Sequence, residues 1–95
     1  MYASIRYYQT SQPDEVRRQV HEHFLPIISL APGFQAYYLV NAGQSIQISV
    51  SIFDTQAGAE ESNRLAQAWV RRSVQPLLLG APDMHVGEVV VHRSL

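Results

Sequence analysis

Residues 46–53, IQISVSIF, carry the clearest pattern in the sequence. Isoleucine or valine occupies every second position, and polar residues stand between them up to Phe53. A period of two is typical of a β-strand that has one apolar and one polar face. We expect the apolar face to pack under helices. The side chains predicted to point away from the helices are then Gln47, Ser49, Ser51 and Phe53.

Three further strands are predicted around this one, over residues 2–9, 34–40 and 84–92. These stretches, YASIRYYQ, FQAYYLV and MHVGEVVVH, contain mostly aromatic and β-branched residues with strand propensity. Turn-forming residues separate them from their neighbours, at 10–13, 31–33 and 80–82, and a hairpin loop is expected at 41–44.

Apolar residues at helical spacing predict two helices, over about 13–29 and from about 56 to 73 or beyond. Ser11 or Gln12 would cap the first helix and Thr55 the second. Pro26 lies inside the first pattern, and because proline has no N–H to donate, we expect a kink or a loosened turn there.

The order β-α-β-β-α-β predicts one α+β domain over residues 1–95 with the ferredoxin-like fold. In this arrangement a four-stranded antiparallel sheet has both helices on one face. The second face is left without a cover, so a homodimer is expected, with a total interface of roughly 1,200 Å² or more.

Composition excludes several classes of partner. The formal net charge is −1, with seven basic and eight acidic residues spread along the chain, which argues against nucleic acid and anionic membrane surfaces. No apolar run is long enough to span a membrane, and the N-terminus lacks the layout of a signal peptide, so a cytoplasmic location is expected. Cysteine is absent, which removes disulfides, thiolate catalysis and cysteine-ligated metals.

The open sheet face is the first candidate for a site. If Ala3, Ile5 and Tyr7 of the first strand and Val89 and Val91 of the last strand lie under the helices, the opposite face is largely polar. It would hold Arg6, Tyr8, Gln47, Ser49, Ser51, Glu88 and His92, with Ser4, Val86 and Val90. This set is interpreted either as a binding site or as a wet subunit interface in which Arg6 pairs with Glu88.

The histidines do not form a predicted metal site. His21 and His23 are two residues apart on a helix and point to different sides, whereas a shared metal needs a spacing of three or four. His85 and His92 are seven apart on one strand and lie on opposite faces. No metal and no cofactor are therefore predicted.

Trp69 falls on the apolar stripe of the second helix and is first of all a predicted core residue. We expect it to pack in one cluster with Phe24, Ile48 and Val50.

The sequence also resembles the antibiotic biosynthesis monooxygenase-like family of dimeric α/β-barrel proteins. The resemblance covers nearly the whole chain and is carried by three features: the element order, the PGF of residues 32–34, and the passage SVSIFDTQAGAEESNRLAQAWV of residues 49–70. It implies that two sheets pack with their open faces together, and that a pocket lies between the sheet and the helices of each subunit.

Relatives in this family differ in chemistry. Some oxidise polycyclic phenols to quinones without a cofactor, and others degrade haem with an asparagine on the first strand, a tryptophan and a histidine. The first strand here has Ser4, Ile5 and Arg6 and no asparagine. The resemblance therefore favours the cofactor-free oxygenases over the haem degraders.

Two functions are left open by the sequence. One is a monooxygenase, in which a small aromatic ligand lies against Tyr37, Tyr38 and Trp69 while Arg6 or His92 handles a phenolate or a proton. Tyr37 and Tyr38 are neighbours on a strand, so only one of them can face the helices. The other function is a non-catalytic dimeric module that binds a small apolar ligand or associates with another protein.

Overall fold

The computed structural model describes all 95 residues and has the predicted order of four strands and two helices. The strands are β1 (Tyr2–Gln9), β2 (Phe34–Gly43), β3 (Ile46–Phe53) and β4 (Asp83–Glu88). Helix α1 covers residues 13–28, and helix α2 covers residues 56–74 and continues into a 3₁₀ turn over Gln75–Leu77. Neither helix is long and apolar enough to cross a membrane.

The strands form one antiparallel sheet in the order β2-β3-β1-β4, and both helices pack on the same face of it. This is the ferredoxin-like α+β fold that the sequence predicts. The two central strands are paired along their whole length, from Tyr2 opposite Phe53 to Gln9 opposite Ile46.

Two strands, β2 and β4, differ from the prediction in their bounds. β2 continues to Gly43, and the hairpin turns through Gln44 and Ser45, which both have positive φ as a tight two-residue hairpin turn requires. β4 ends at Glu88, opposite Tyr2, and the Val89 N–H makes the last bond, to the Met1 carbonyl. β1 offers no further residue to pair with, so residues 90–92, which the sequence predicts as strand, lie outside β4.

Both helices widen into a π-helical turn two residues before a proline. The turns cover Val20–Phe24 and Val70–Val74, and the prolines are Pro26 and Pro76. A proline removes one helical hydrogen bond, and its ring crowds the carbonyl four residues earlier, which a wider turn relieves. The loosened turn predicted at Pro26 is confirmed, and the Thr55 cap is confirmed by its bond from the Gly58 N–H, at 3.1 Å.

The helices cover the opposite face of the sheet from the one that the sequence predicts. On β3, Gln47, Ser49 and Ser51 are at most 2% exposed and lie on the helix side, whereas the alternating isoleucine and valine residues are half-buried on the open side. Cross-strand pairing carries the same reversal through the sheet. The helix-side residues predicted to be on the open face are Ser4, Arg6, Tyr8, Gln47, Ser49, Ser51, Phe53 and Val86.

Two further predictions are wrong because they depended on the predicted strand faces. Ile48 and Val50 do not join Phe24 and Trp69 in the core. Arg6 does not pair with Glu88, which is exposed at the end of β4.

The helices explain the reversal because they supply most of the apolar surface of the core. The buried hydrophobic cluster takes nine of its eleven members from them: Val16, Val20, Phe24, Ile28, Ala59, Ala66, Trp69, Val70 and Val74. The polar side chains under the helices bond to one another, so their burial does not leave them unsatisfied. Alternation therefore distinguishes two strand faces but does not tell which one the helices cover.

The open face of the sheet is apolar and continuous across its three longer strands. Its side chains come from β1 (Ala3, Ile5, Tyr7), β2 (Ala36, Tyr38, Val40) and β3 (Ile46, Ile48, Val50, Ile52). Tyr7, Tyr38 and Val40 are 45%, 57% and 48% exposed. Apolar patches of this kind on small proteins mark interaction surfaces.

The substitution Phe24→Ala is expected to lower the free energy of unfolding by about 3–5 kcal/mol. Phe24 is fully buried and contacts both Trp69 and Tyr37, so its removal opens a cavity at the centre of the core. Urea unfolding measures the loss. Leu30→Ala, at a position that is 86% exposed, is the control and should change the value by less than about 0.5 kcal/mol.

Candidate functional site

Arg6 is the centre of the polar interior. Its guanidinium is completely buried and donates to the Ser49 Oγ at 2.9 Å from Nε and to the Ser51 Oγ at 2.5 Å from Nη2. From Nη1 it donates to the Asn63 Oδ1 at 2.9 Å and to the Ser4 Oγ at 3.3 Å. Four of its five N–H bonds are therefore used, all on neutral acceptors.

Sheet register and helix position bring these groups together. Arg6 lies directly opposite Ser49, and Ser4 directly opposite Ser51, so one strand pair supplies the arginine and three hydroxyls on the same face. Helix α2 crosses above them and adds Asn63, while Ser62 bonds to the Ser4 Oγ. The arginine is thus held in one orientation by two strands and a helix.

No carboxylate balances the charge of Arg6. The ion pairs of the chain all lie on the exposed outer faces of the helices, where Arg17, Arg18 and Arg64 bond to acidic neighbours. Arg6 instead lies 5.6 Å from the centre of the Phe24 ring, in cation–π contact. Because arginine stays protonated in proteins, the interior carries a fixed and uncompensated positive charge.

Two phenols lie near this charge and remain neutral. Burial raises the pKa of Tyr8 to about 12, although the positive charge of Arg6 opposes the rise. Burial likewise raises the pKa of Tyr37, against the influence of Ser49 and Arg6. Both groups are therefore hydrogen-bond donors rather than bases near neutral pH.

A pH titration tests the state of Tyr8. Its folded pKa of about 12 lies above its ordinary value of 10.0, so the unfolded chain loses this proton first. Stability is then complete below pH 10 and falls as the pH rises towards 12, by about 2–3 kcal/mol. Tyr8→Phe should flatten that decline in urea unfolding, and Tyr7→Phe, on the open face, should leave it in place.

Two aromatic side chains of the interior have a hydrogen-bond donor without an acceptor. The Tyr37 Oη and the Trp69 Nε1 are buried and make no hydrogen bond. Both rings pack against Phe24, with centroids 5.9 Å (Tyr37) and 4.9 Å (Trp69) from the centroid of its ring. The interior between helices and sheet thus contains unpaired hydrogen-bond donors and no anionic side chain.

A cleft of about 750 Å³ opens next to this interior, between α2 and the segment that leads into β4. Its wall is formed by Asn63, Gln67, Val70, Arg71, Gln75, Leu78, Leu79, Gly80, Ala81, Pro82 and Met84. Asn63 joins the two spaces, because its Oδ1 accepts from Arg6 while its Nδ2 donates to the His85 carbonyl. A ligand in the cleft that reaches Asn63 would lie next to the Arg6 charge.

The structure separates the residues that the sequence predicts for a site. Arg6, Tyr37 and Trp69 come together under the helices. Tyr38 lies on the open face, opposite Val50, so of the two tyrosines it is Tyr37 that faces the helices. His92 is exposed beyond the end of β4, whereas Arg6 pairs with Met84 near its start. A functional role for Tyr38 or for His92 remains a prediction.

The remaining histidines stay apart from the site. His21 and His23 are exposed on α1, and the His85 ring packs edge-on against Tyr7 on the open face. Nowhere in the chain do three metal-binding side chains meet in a cluster.

Asn63 is the residue that sequence reasoning missed. It lies off the apolar stripe of α2, where a polar residue is normally solvated. The usable signal was in the strands, where an arginine alternates with serine and tyrosine on β1 opposite two serines on β3.

Comparison with known proteins places the fold. Neither protein-family profiles nor curated protein sequences give a significant match. Among solved structures, a Bordetella bronchiseptica protein described as an antibiotic biosynthesis monooxygenase superposes with a TM-score of 0.77 at 16% identity, over 95% of this chain and 97% of that one.

Two further structures have bound ligands. The monooxygenase from the gene ActVA-Orf6 of Streptomyces coelicolor, in complex with nanaomycin D, has a TM-score of 0.74 at 11% identity, over 98% of this chain and 92% of that one. The haem degrader MhuD of Mycobacterium tuberculosis, with two haems in its active site, has a TM-score of 0.74 at 15% identity, over 99% and 100%. The chain has the antibiotic biosynthesis monooxygenase-like fold.

Within the antibiotic biosynthesis monooxygenase-like fold, this chain's own residues define a particular site. A buried arginine stands on the first strand, and the cleft beside it contains no histidine, cysteine or tyrosine. Of the side-chain types that bind haem iron, only Met84 is present in the lining. The lining thus offers few ligands to a haem iron.

Proposed function

We propose that this chain is a homodimeric monooxygenase that oxidises a small phenolic aromatic with O₂ and without a resident cofactor. The observation that carries the proposal is the buried Arg6, which has no counter-ion and is joined to a cleft through Asn63. A site of this kind favours the ionised form of a bound phenol, because a nearby positive charge lowers the pKa of an acid.

The reaction closes without an external reductant. A phenol that carries hydrogen at the para carbon loses its O–H and that C–H hydrogen, one oxygen atom of O₂ becomes the new carbonyl, and the other leaves as water. The products are a para-quinone and H₂O. The phenolate is the form that gives electrons to O₂ most readily, so Arg6 and Asn63 would act by holding negative charge at the substrate oxygen.

The dimer is proposed to form through the open sheet face. Only 18 of the 95 residues are buried, and seven of those are polar, so the core of one copy is small. A second copy that packs its own open face against the first would bury Ile48, Val50 and the exposed Tyr38. The apolar character of this face favours a dry interface over the wet one predicted from the sequence. A cytoplasmic location stays a prediction.

Oxygen uptake with 1-naphthol and with anthrone, whose phenol tautomer likewise has hydrogen at the para carbon, tests the activity. We expect consumption of O₂ in a one-to-one ratio with quinone formed, without release of hydrogen peroxide, for at least one compound of the panel. Boiled protein controls for autoxidation. Absence of O₂ uptake across the panel would contradict the proposed activity.

One observation favours a second function, the non-catalytic binding module. The interior has neutral phenols and a permanent cation but no group that accepts a proton near neutral pH. A substrate would have to lose its proton to water or be acidic already. Compounds that bind tightly as phenolates, yet consume no oxygen, would support this binding module.

A further inference from the structure

One face of helix α2 forms the long wall of the cleft. Asn63, Gln67, Val70 and Arg71 all line it, at spacings of four, seven and eight residues. These are the spacings of side chains on one face of a helix. The wall therefore has a polar group at each end, Asn63 and Arg71, with Val70 on the same face near Arg71.

Arg71 is the only charged residue in the lining, and no aspartate or glutamate faces it. It forms no ion pair, in contrast to Arg17, Arg18 and Arg64 on the outer helix surfaces. The opposite wall is apolar, from Leu78 and Leu79 to Pro82 and Met84. A free guanidinium at the end of a cleft with one apolar wall is complementary to a carboxylate on an aromatic body.

The distance between the two polar ends sets the length of the ligand. Eight residues of helix correspond to about 12 Å along the axis. The flexible arginine side chain can shorten the gap, so a ligand of two or three fused rings spans it. A hydroxyl at Asn63 and an acidic group at Arg71 would then stand at opposite ends of one molecule.

We propose that the cleft selects an elongated hydroxylated aromatic acid, whose carboxylate binds Arg71 while its phenolic hydroxyl lies at Asn63. The position of the hydroxyl rests on the proposed function, but the carboxylate contact does not depend on oxidation. Arg71 is accordingly a specificity-determining residue, remote from the reacting oxygen.

Fluorescence titration with 6-hydroxy-2-naphthoic acid and with its methyl ester tests the assignment. Wild-type protein should bind the acid more tightly than the ester. Arg71→Gln should weaken binding of the acid by about five- to tenfold, the range for loss of a charge-assisted hydrogen bond in a partly open site, and change the ester by less than about twofold. Arg71→Lys should recover part of the loss.

Arg72→Gln is the matched control, because Arg72 is the next residue on the same helix, is also exposed, and lines a different groove. It should leave both affinities within about twofold. Raising the salt concentration should weaken binding of the acid and not of the ester, because salt screens the charge contact that only the acid makes.

Three outcomes would overturn the inference. They are equal binding of acid and ester by the wild type, equal weakening of both by Arg71→Gln, and equal effects of Arg71→Gln and Arg72→Gln. The proposed function survives each of these as long as the ester binds. Binding of neither probe by the wild-type protein would also overturn the inference, whereas oxygen uptake with 1-naphthol and anthrone decides the proposed function separately.

Discussion

Replacing Arg6 by methionine is expected to lower kcat/KM for phenol oxidation by at least about 100-fold, the usual effect of removing one charge-stabilising donor from an active site. Methionine fills the volume of the arginine stem but takes away the only positive charge in the interior. The substrate hydroxyl would then keep its proton near neutral pH. Steady-state oxygen uptake on the best substrate of the panel measures the loss.

Stability measurements separate this effect from misfolding. Removal of a buried charge that lacks a counter-ion offsets the loss of its hydrogen bonds to Ser49, Ser51 and Asn63, so we expect Arg6→Met to remain folded by circular dichroism. Arg6→Lys keeps the charge with a different set of donors and should retain more activity than Arg6→Met. A folded Arg6→Met that keeps activity within about threefold of wild type would contradict the role of Arg6.

Placing a carboxylate on the open sheet face is expected to abolish the dimer. Val50 lies on β3 with Ile5 and Tyr38 as its cross-strand neighbours, at the middle of the apolar face. Burying an unpaired carboxylate in an apolar interface costs several kcal/mol, so Val50→Asp should raise the dimer Kd by about 1,000-fold or more. Light scattering at micromolar concentration should give twice the chain mass of 10.7 kDa for wild type and the single mass for the variant.

Ala68→Asp controls for the added charge, because Ala68 is exposed on α2, away from the open face. It should leave the dimer unchanged. Wild-type protein that is monomeric at micromolar concentration would contradict the proposed assembly, as would a Val50→Asp variant that is still dimeric.

Local patterns were sufficient to predict the fold. Period-two alternation in 46–53, helical spacing in 13–29 and turn residues between elements gave the correct order of strands and helices, and the sheet follows from that order. The strand faces could not be predicted in the same way. Ile48 and Ser49 alternate identically whether the helices or a second subunit cover the isoleucine side.

The site was predictable only in part for the same reason. Arg6 was singled out on the sequence, but its surroundings were placed on the wrong face, because an unpaired buried arginine contradicts the general rule that charges lie outside. What stabilises it is a set of contacts distant in sequence: Ser49 lies 43 residues away and Asn63 lies 57 residues away. Periodicity describes spacing within one element, so it predicts neither of these long-range contacts.

The most direct test of the account is the pKa of a phenol bound beside Arg6. The phenolate absorbance of bound 1-naphthol, titrated in the wild type and in Arg6→Met, reports it. The account predicts that the wild type lowers the pKa of the hydroxyl by about 1–3 units relative to free naphthol, and that Arg6→Met removes the shift. A bound hydroxyl whose pKa in the wild type equals or exceeds that of free naphthol would contradict the account.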